Sequence, residues 1–193
     1  MLITKISSQN YSSESSQSEL TMGIFKLFHP RAKPDTYLRN FIFGVEDSLV
    51  STVGLLAGVA AADISPRAIL TTGLVLIVVE GFSMGVGSFL TEETTEEMAG
   101  EIPRTLESIK GASTMLVSYC FAGLLPLAPY VFLTGQTAVT TSIVLSLLGL
   151  FGLGYGTSIY FGRPSPVKRA IKMMLLGGIA VAVGMLIGKL FHL

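Results

Sequence analysis

Residues 41–52 read Phe41-Ile-Phe-Gly-Val-Glu-Asp-Ser-Leu-Val-Ser-Thr52, and their reading decides the fold. They open an apolar run that reaches Ala62 yet holds two adjacent carboxylates, Glu46 and Asp47. A second apolar run, Ala68 to Leu90, carries a third acid, Glu80, one helical turn before Met84. Acids inside lipid-length helices are costly, and where they occur they usually line an ion or proton path. The two segments are therefore candidate walls of such a path.

Composition supports a membrane setting. Half of the 193 residues are hydrophobic and only 13% are charged, against about 25% in ordinary soluble domains. Long stretches are almost free of charge, and a membrane span needs roughly 20 apolar residues. The formal net charge is zero, so a nucleic-acid partner has no electrostatic support. The single cysteine, Cys120, excludes an intrachain disulfide and a CxxC site; in an apolar segment it reads as a small buried side chain.

Outward from the acidic stretch, the pattern predicts an all-α membrane protein with five transmembrane helices, at about 41–62, 68–90, 112–133, 138–161 and 170–191. Nothing alternates with period two, which disfavours a barrel. The connections 63–67 and 134–137 are short enough to make the helices they join antiparallel neighbours. Residues 1–35 form a separate segment, read as a disordered serine-rich cytoplasmic tail with a short interfacial stretch at Met22–His29. No apolar region follows Lys5, so no signal peptide is expected. The five-helix membrane domain is 36–193, with an acidic cytoplasmic connection at 91–111.

Basic residues set the orientation. With the N-terminus cytoplasmic and the C-terminus outside or lumenal, only Arg67 and Lys189 of the 13 Lys and Arg fall on the outer side. That side assignment also argues against use of the Asn10-Tyr11-Ser12 sequon. Glycine occurs 21 times, including the pairs Gly54/Gly58, Gly81/Gly85 and Gly184/Gly188, a spacing that lets helix backbones approach closely in lipid. Pro126 and Pro129 interrupt the third span, where a kink is expected.

Antiparallel geometry tests whether the acids meet. Asp47 lies six residues past Phe41 and Met84 six before Leu90, so both sit roughly 9 Å inside the same boundary at about 1.5 Å per residue. Glu80 falls one turn deeper, opposite Ser51 and Thr52 and near the midplane. Glu46 points about 100° away from Asp47 around the helix. Carboxylates alone suit Mg²⁺, Ca²⁺ or Mn²⁺, and a thioether shifts the preference toward softer ions. Asp47, Glu80, Met84 and Glu46 thus form a candidate metal-ligating set favouring Fe²⁺ or Mn²⁺ as transported substrate, with no resident cofactor. Glu80 or Asp47 would carry a coupling proton, since desolvation favours the protonated acid. The competing reading packs Met84 in the core and leaves Glu80 simply hydrogen-bonded.

After Leu90 come Glu92, Glu93, Glu96 and Glu97. On a helix continuing from the second span they form i,i+4 pairs of like charge, which repel and which a bound cation would relieve. A cytoplasmic metal-collecting vestibule and a solvated acidic face are both open readings.

At these residues the sequence resembles the vacuolar iron transporter family. The likeness rests on Phe43-Gly-Val-Glu-Asp-Ser-Leu-Val-Ser-Thr52, Gly81-Phe-Ser-Met-Gly-Val-Gly-Ser-Phe89, Leu125-Pro-Leu-Ala-Pro-Tyr130 and the glycine-rich last span, and covers about 36–193. It implies a carrier of Fe²⁺ and Mn²⁺ in exchange for protons, exporting metal from the cytoplasm. It also implies a homodimer with the path between subunits, and assigns ligand roles to Asp47 and Met84. The chain departs from the pattern at Ser48, where the family commonly has glycine, at Glu46, and at Leu76, where an acid of some members is absent and Glu80 lies one turn nearer Met84. The connection 91–111 is too short for the family's long metal-binding domain and resembles its shorter branch. A prokaryotic cell membrane and a vacuole-like membrane are both compatible hosts.

A non-transporting membrane scaffold, its buried acids paired with a partner's basic residue, is the alternative from another class. An enzyme is not expected: no nucleophile–base arrangement or phosphate loop is present, and the two histidines, His29 and His192, flank the membrane part at opposite ends. The orientation is directly testable. With Cys120 replaced by Ser, a cysteine at Ser15 should resist an impermeant maleimide until the membrane is opened, whereas one at Gln136 should react from outside.

Overall fold

The computed structural model describes residues 36–191; the tail, its interfacial stretch, His29 and His192 lie outside the described residues. Among the described residues there are five helices and no strand: α1 Thr36–Ala61, α2 Pro66–Met98, α3 Thr105–Phe132, α4 Gly135–Tyr160 and α5 Pro166–Phe191. All five are long and apolar enough to cross a membrane. Each expected span has its helix, but the ends differ for local reasons. α2 runs eight residues past Leu90, because no breaker interrupts Thr91–Met98 before Gly100 turns the chain with φ +72°. α3 starts at Thr105, directly after Pro103 and Arg104, rather than at 112. The acidic connection is therefore helical except for 99–104.

The turn before α2 is cut by Ser65, whose hydroxyl accepts from Ala68 N at 3.4 Å, and by Pro66 at the first helical position, where its missing N–H costs nothing. α3 continues through Pro126 and Pro129 to Phe132, with both prolines buried. The carbonyl of Pro126 also accepts a 2.6 Å bond from Ser142 Oγ, tying α3 to α4.

α1 is the axis of the bundle and packs on each of the other four helices. Half of its apolar window is buried, against 22% for α5, so α1 is the helix that lipid reaches least. Its inward positions are mostly small: Gly44, Ser48, Thr52, Gly54, Ala57 and Gly58. Elsewhere the outer faces are apolar, as on α2, where Leu74, Val75, Val78, Val79 and Phe82 are exposed. A continuous apolar exterior of this kind suits acyl chains rather than water.

α1 and α5 pack backbone against backbone. Gly54 meets Ala180 and Gly58 meets Gly184, in register along both helices, so the two run parallel. An added Cβ at Gly58 would stand 2.7 Å from the Gly184 carbonyl oxygen, and one at Gly184 would collide with the carbonyl oxygen of Gly54. Parallel α1 and α5 put the start of the first helix and the end of the last at opposite ends of the bundle. The end that holds the start of α1 also collects Arg39, Arg104, Lys110, Arg163, Lys168, Arg169 and Lys172.

Gly184→Val should destabilise the detergent-purified protein by about 1–3 kcal/mol or prevent its folding, since two backbones must separate. Gly152→Ala, whose Cβ meets nothing within 4 Å, should leave the melting temperature essentially unchanged. Thermal unfolding followed by size-exclusion chromatography reads both.

Candidate functional site

The central position of α1 brings its acidic stretch against α2 and α3. Two contacts fix the register of α1 on α2. Near the start of α1, Asn40 Nδ2 donates to Ser88 Oγ at 2.8 Å. Deeper, Tyr119 OH bridges Ser51 Oγ at 2.7 Å and Glu80 Oε2 at 2.6 Å. Asp47 lies between Asn40 and Ser51, and Met84 between Ser88 and Glu80, so the two share a level as antiparallel spacing requires. Glu80 stands at the level of Ser51.

Asp47 and Glu80 are half-buried, and Asp47 lies within the electrostatic reach of both Glu80 and Glu46. The two acids on neighbouring helices thus act on each other through an apolar bundle, where charges are weakly screened. Among the described residues Asp47 accepts no hydrogen bond from another side chain, whereas Glu80 accepts one from Tyr119. Glu46 is half-buried one position away, on another side of α1. Among the described residues no three His, Cys, Asp or Glu side chains form a group able to hold a metal ion. Within one chain the acidic constellation is a pair, not a closed cage.

Met84 lines a cavity of about 600 Å³ with Asn40, Phe43, Ser88, Thr91 and Met115. It opens between α1, α2 and α3 on the basic side of the acids. Met115, 4% exposed, brings a second thioether to its wall. Sequence spacing missed Met115 because it lies on a helix distant in the chain. It missed Tyr119 for the same reason, although a phenol in the polar run Ser118-Tyr119-Cys120 of an apolar span was a visible signal.

The four glutamates after Leu90 have distinct surroundings. Glu92 Oε1 accepts from Thr36 Oγ1 at 3.2 Å, and its Oε2 stands 3.9 Å from Arg39 Nη2. Glu93 accepts from Thr105 Oγ1 at 2.9 Å. Glu96 is buried and takes the Arg104 backbone N–H at 2.6 Å and its guanidinium at 3.1 Å. Glu97 is exposed. The repulsion expected along this helix is thus met partly by Arg39 and Arg104, and Glu96 closes the turn between α2 and α3.

A family model described as "VIT family" matches residues 38–108 and 96–189. The chain is similar to Vacuolar iron transporter 1 of Eucalyptus grandis, 25% identical over 206 residues, covering 75% of this chain and 82% of that protein. It is also similar to Vacuolar iron transporter 1 of Arabidopsis thaliana, 22% identical with 79% and 85% covered. Vacuolar iron transporter homolog 1 of Oryza sativa subsp. japonica is 30% identical over 172 residues, with 80% and 74% covered.

The unequal surroundings of the glutamates have a measurable consequence. Glu96→Ala leaves the Arg104 backbone N–H without its acceptor and the guanidinium with its Glu107 contact, and should lower the melting temperature by several degrees. Glu97→Ala should leave it unchanged.

Proposed function

The chain belongs to the VIT family, and from that premise we propose that it is a transporter carrying Fe²⁺ or Mn²⁺ out of the cytoplasm in exchange for protons. The observation that carries the proposal is the Asp47–Glu80 pair, two carboxylates on adjacent lipid-length helices within each other's field. Such a pair in an apolar bundle is expensive unless it is neutralised. One divalent ion supplies two positive charges. When the ion leaves, protons on Glu80 and Asp47 restore neutrality, so exchange spares the membrane interior a bare pair of charges.

The path we propose starts at the cytoplasmic side, in the cavity beside Met84. A thioether there favours Fe²⁺ over harder ions, while Asp47 and Glu80 supply the oxygen ligands that Fe²⁺ and Mn²⁺ share. Glu46 extends the negative field without facing the same point. Glu92, Glu93 and Glu97 would draw cations to the entrance, with Glu96 held by Arg104 as part of the turn. A pair of acids per chain is too few to surround an ion, which favours a homodimer with two copies of α1 facing across the path. The side of α1 that carries the exposed Phe43 and the half-buried Asp47 and Ser51 would then be covered by its twin. Residues 1–35 would lie in the cytoplasm as a tail, and the host would be a prokaryotic cell membrane or a vacuole-like one, the latter in keeping with the names of the relatives.

Proteoliposomes loaded with a pH dye and an Fe²⁺ or Mn²⁺ indicator provide the test. Metal entry with opposing proton movement is expected for the native chain, with loss of both in Glu80→Gln and in Asp47→Ala while the protein stays folded. Full flux in both variants would remove the assigned path, and no flux from the native chain would favour a scaffold. Met84→Leu should weaken Fe²⁺ transport more than Mn²⁺ transport; equal effects would remove the thioether argument.

A further inference from the structure

Tyr119 is fully buried at the middle of α3 and is gripped at both ends by α1. Its backbone carbonyl accepts from Ser48 Oγ at 2.7 Å, and its hydroxyl meets Ser51 Oγ at 2.7 Å. The ring lies over Gly81, where an added Cβ would stand 3.2 Å from Tyr119 Cδ1, so the residue after Glu80 leaves room for it. The phenol donates its one proton to Glu80 Oε2 at 2.6 Å. Having given that proton away, the phenol oxygen can only accept, so Ser51 is the donor in the other bond. The chain of bonds therefore runs from Ser51 on α1 through Tyr119 on α3 to Glu80 on α2.

We propose that Tyr119 is a positioning residue for the transported ion: anchored on α1 by Ser51, its phenol holds the Glu80 carboxylate in place beside Asp47. This deepens the transport reading of the same site and rests on it. A glutamate side chain has several rotatable bonds, and fixing them at each binding event costs entropy. The phenol removes that cost by holding Oε2 before the ion arrives and leaves Oε1 for the ion. Partners that orient ligating carboxylates have a large effect on metal affinity when removed. Tyr119 itself need not touch the ion.

Tyr119→Phe keeps the ring in its slot and deletes only the hydroxyl. In metal-flux assays on proteoliposomes it should raise KM for Mn²⁺ on the order of tenfold, with maximal flux within about twofold of native. Ser51→Ala should raise KM less, because the phenol loses its anchor but keeps its bond to Glu80. The double variant should be no worse than Tyr119→Phe alone, since both act through one chain of bonds. A merely structural role would lower maximal flux or the melting temperature and leave KM in place. A native chain that carries the ion while Tyr119→Phe keeps the native KM, or a double variant whose effects add, would overturn this inference alone. A native chain that carries neither Fe²⁺ nor Mn²⁺ would overturn the transport reading and this inference with it.

Discussion

The close approach of α1 to its neighbours is the constraint on which the rest of the structure depends. A helix can sit at the centre of a five-helix bundle only if its inward positions are small enough for four others to reach it. α1 meets that condition with Gly44, Ser48, Thr52, Gly54, Ala57 and Gly58. Hydrophobic burial does not drive helices together in lipid as it does in water, so backbone contact and side-chain hydrogen bonds must do so. The α1–α5 glycine stripe supplies the first, and Ser48 and Ser51 supply the second toward α3.

That packing has a chemical result. Because α1 is central, Asp47 stands within the electrostatic reach of Glu80 on α2. Because small residues recur along α1, α3 comes near enough for Tyr119 to bridge α1 and α2. The features that let the helices touch also place the polar groups. Ser48 and Ser51, three residues apart and both following Asp47, show both roles: each is small enough for packing and each ends in a hydroxyl that bonds Tyr119.

The basic end of the bundle is built on different physics. There α2 continues past the apolar limit, and its glutamates meet Thr36, Arg39, Arg104 and Thr105 from the starts of α1 and α3. These are exposed or half-exposed pairs whose individual worth is small. The exception is Glu96, whose burial and backbone partner make it part of the turn. Neighbouring glutamates that look alike in sequence thus differ in kind, according to what the next helix brings beside them.

The five helices were legible in sequence because lipid demands about 20 apolar residues per span, and nothing else in this chain imitates that signal. The level shared by Asp47 and Met84, and that of Glu80 with Ser51, were legible too, since a short connection and a fixed rise per residue leave little freedom. The α2 extension was anticipated only as a continuation, and the early start of α3 was not, because hydropathy marks the lipid boundary and not the end of a helix. Gly54, Gly58, Gly184 and Gly188 announced close packing by their spacing, but not that they pack on one another. Tyr119 and Met115 lie outside what periodicity can show. Helical spacing relates residues within one helix, and short connections relate consecutive helices; which side of α3 faces the α1–α2 pair depends on how all five fill space at once. The sequence by itself determined that acids lie on lipid-length helices and which levels along those helices they share. Only the tertiary structure decided which phenol holds one of them, because that contact joins three helices and is set by their packing.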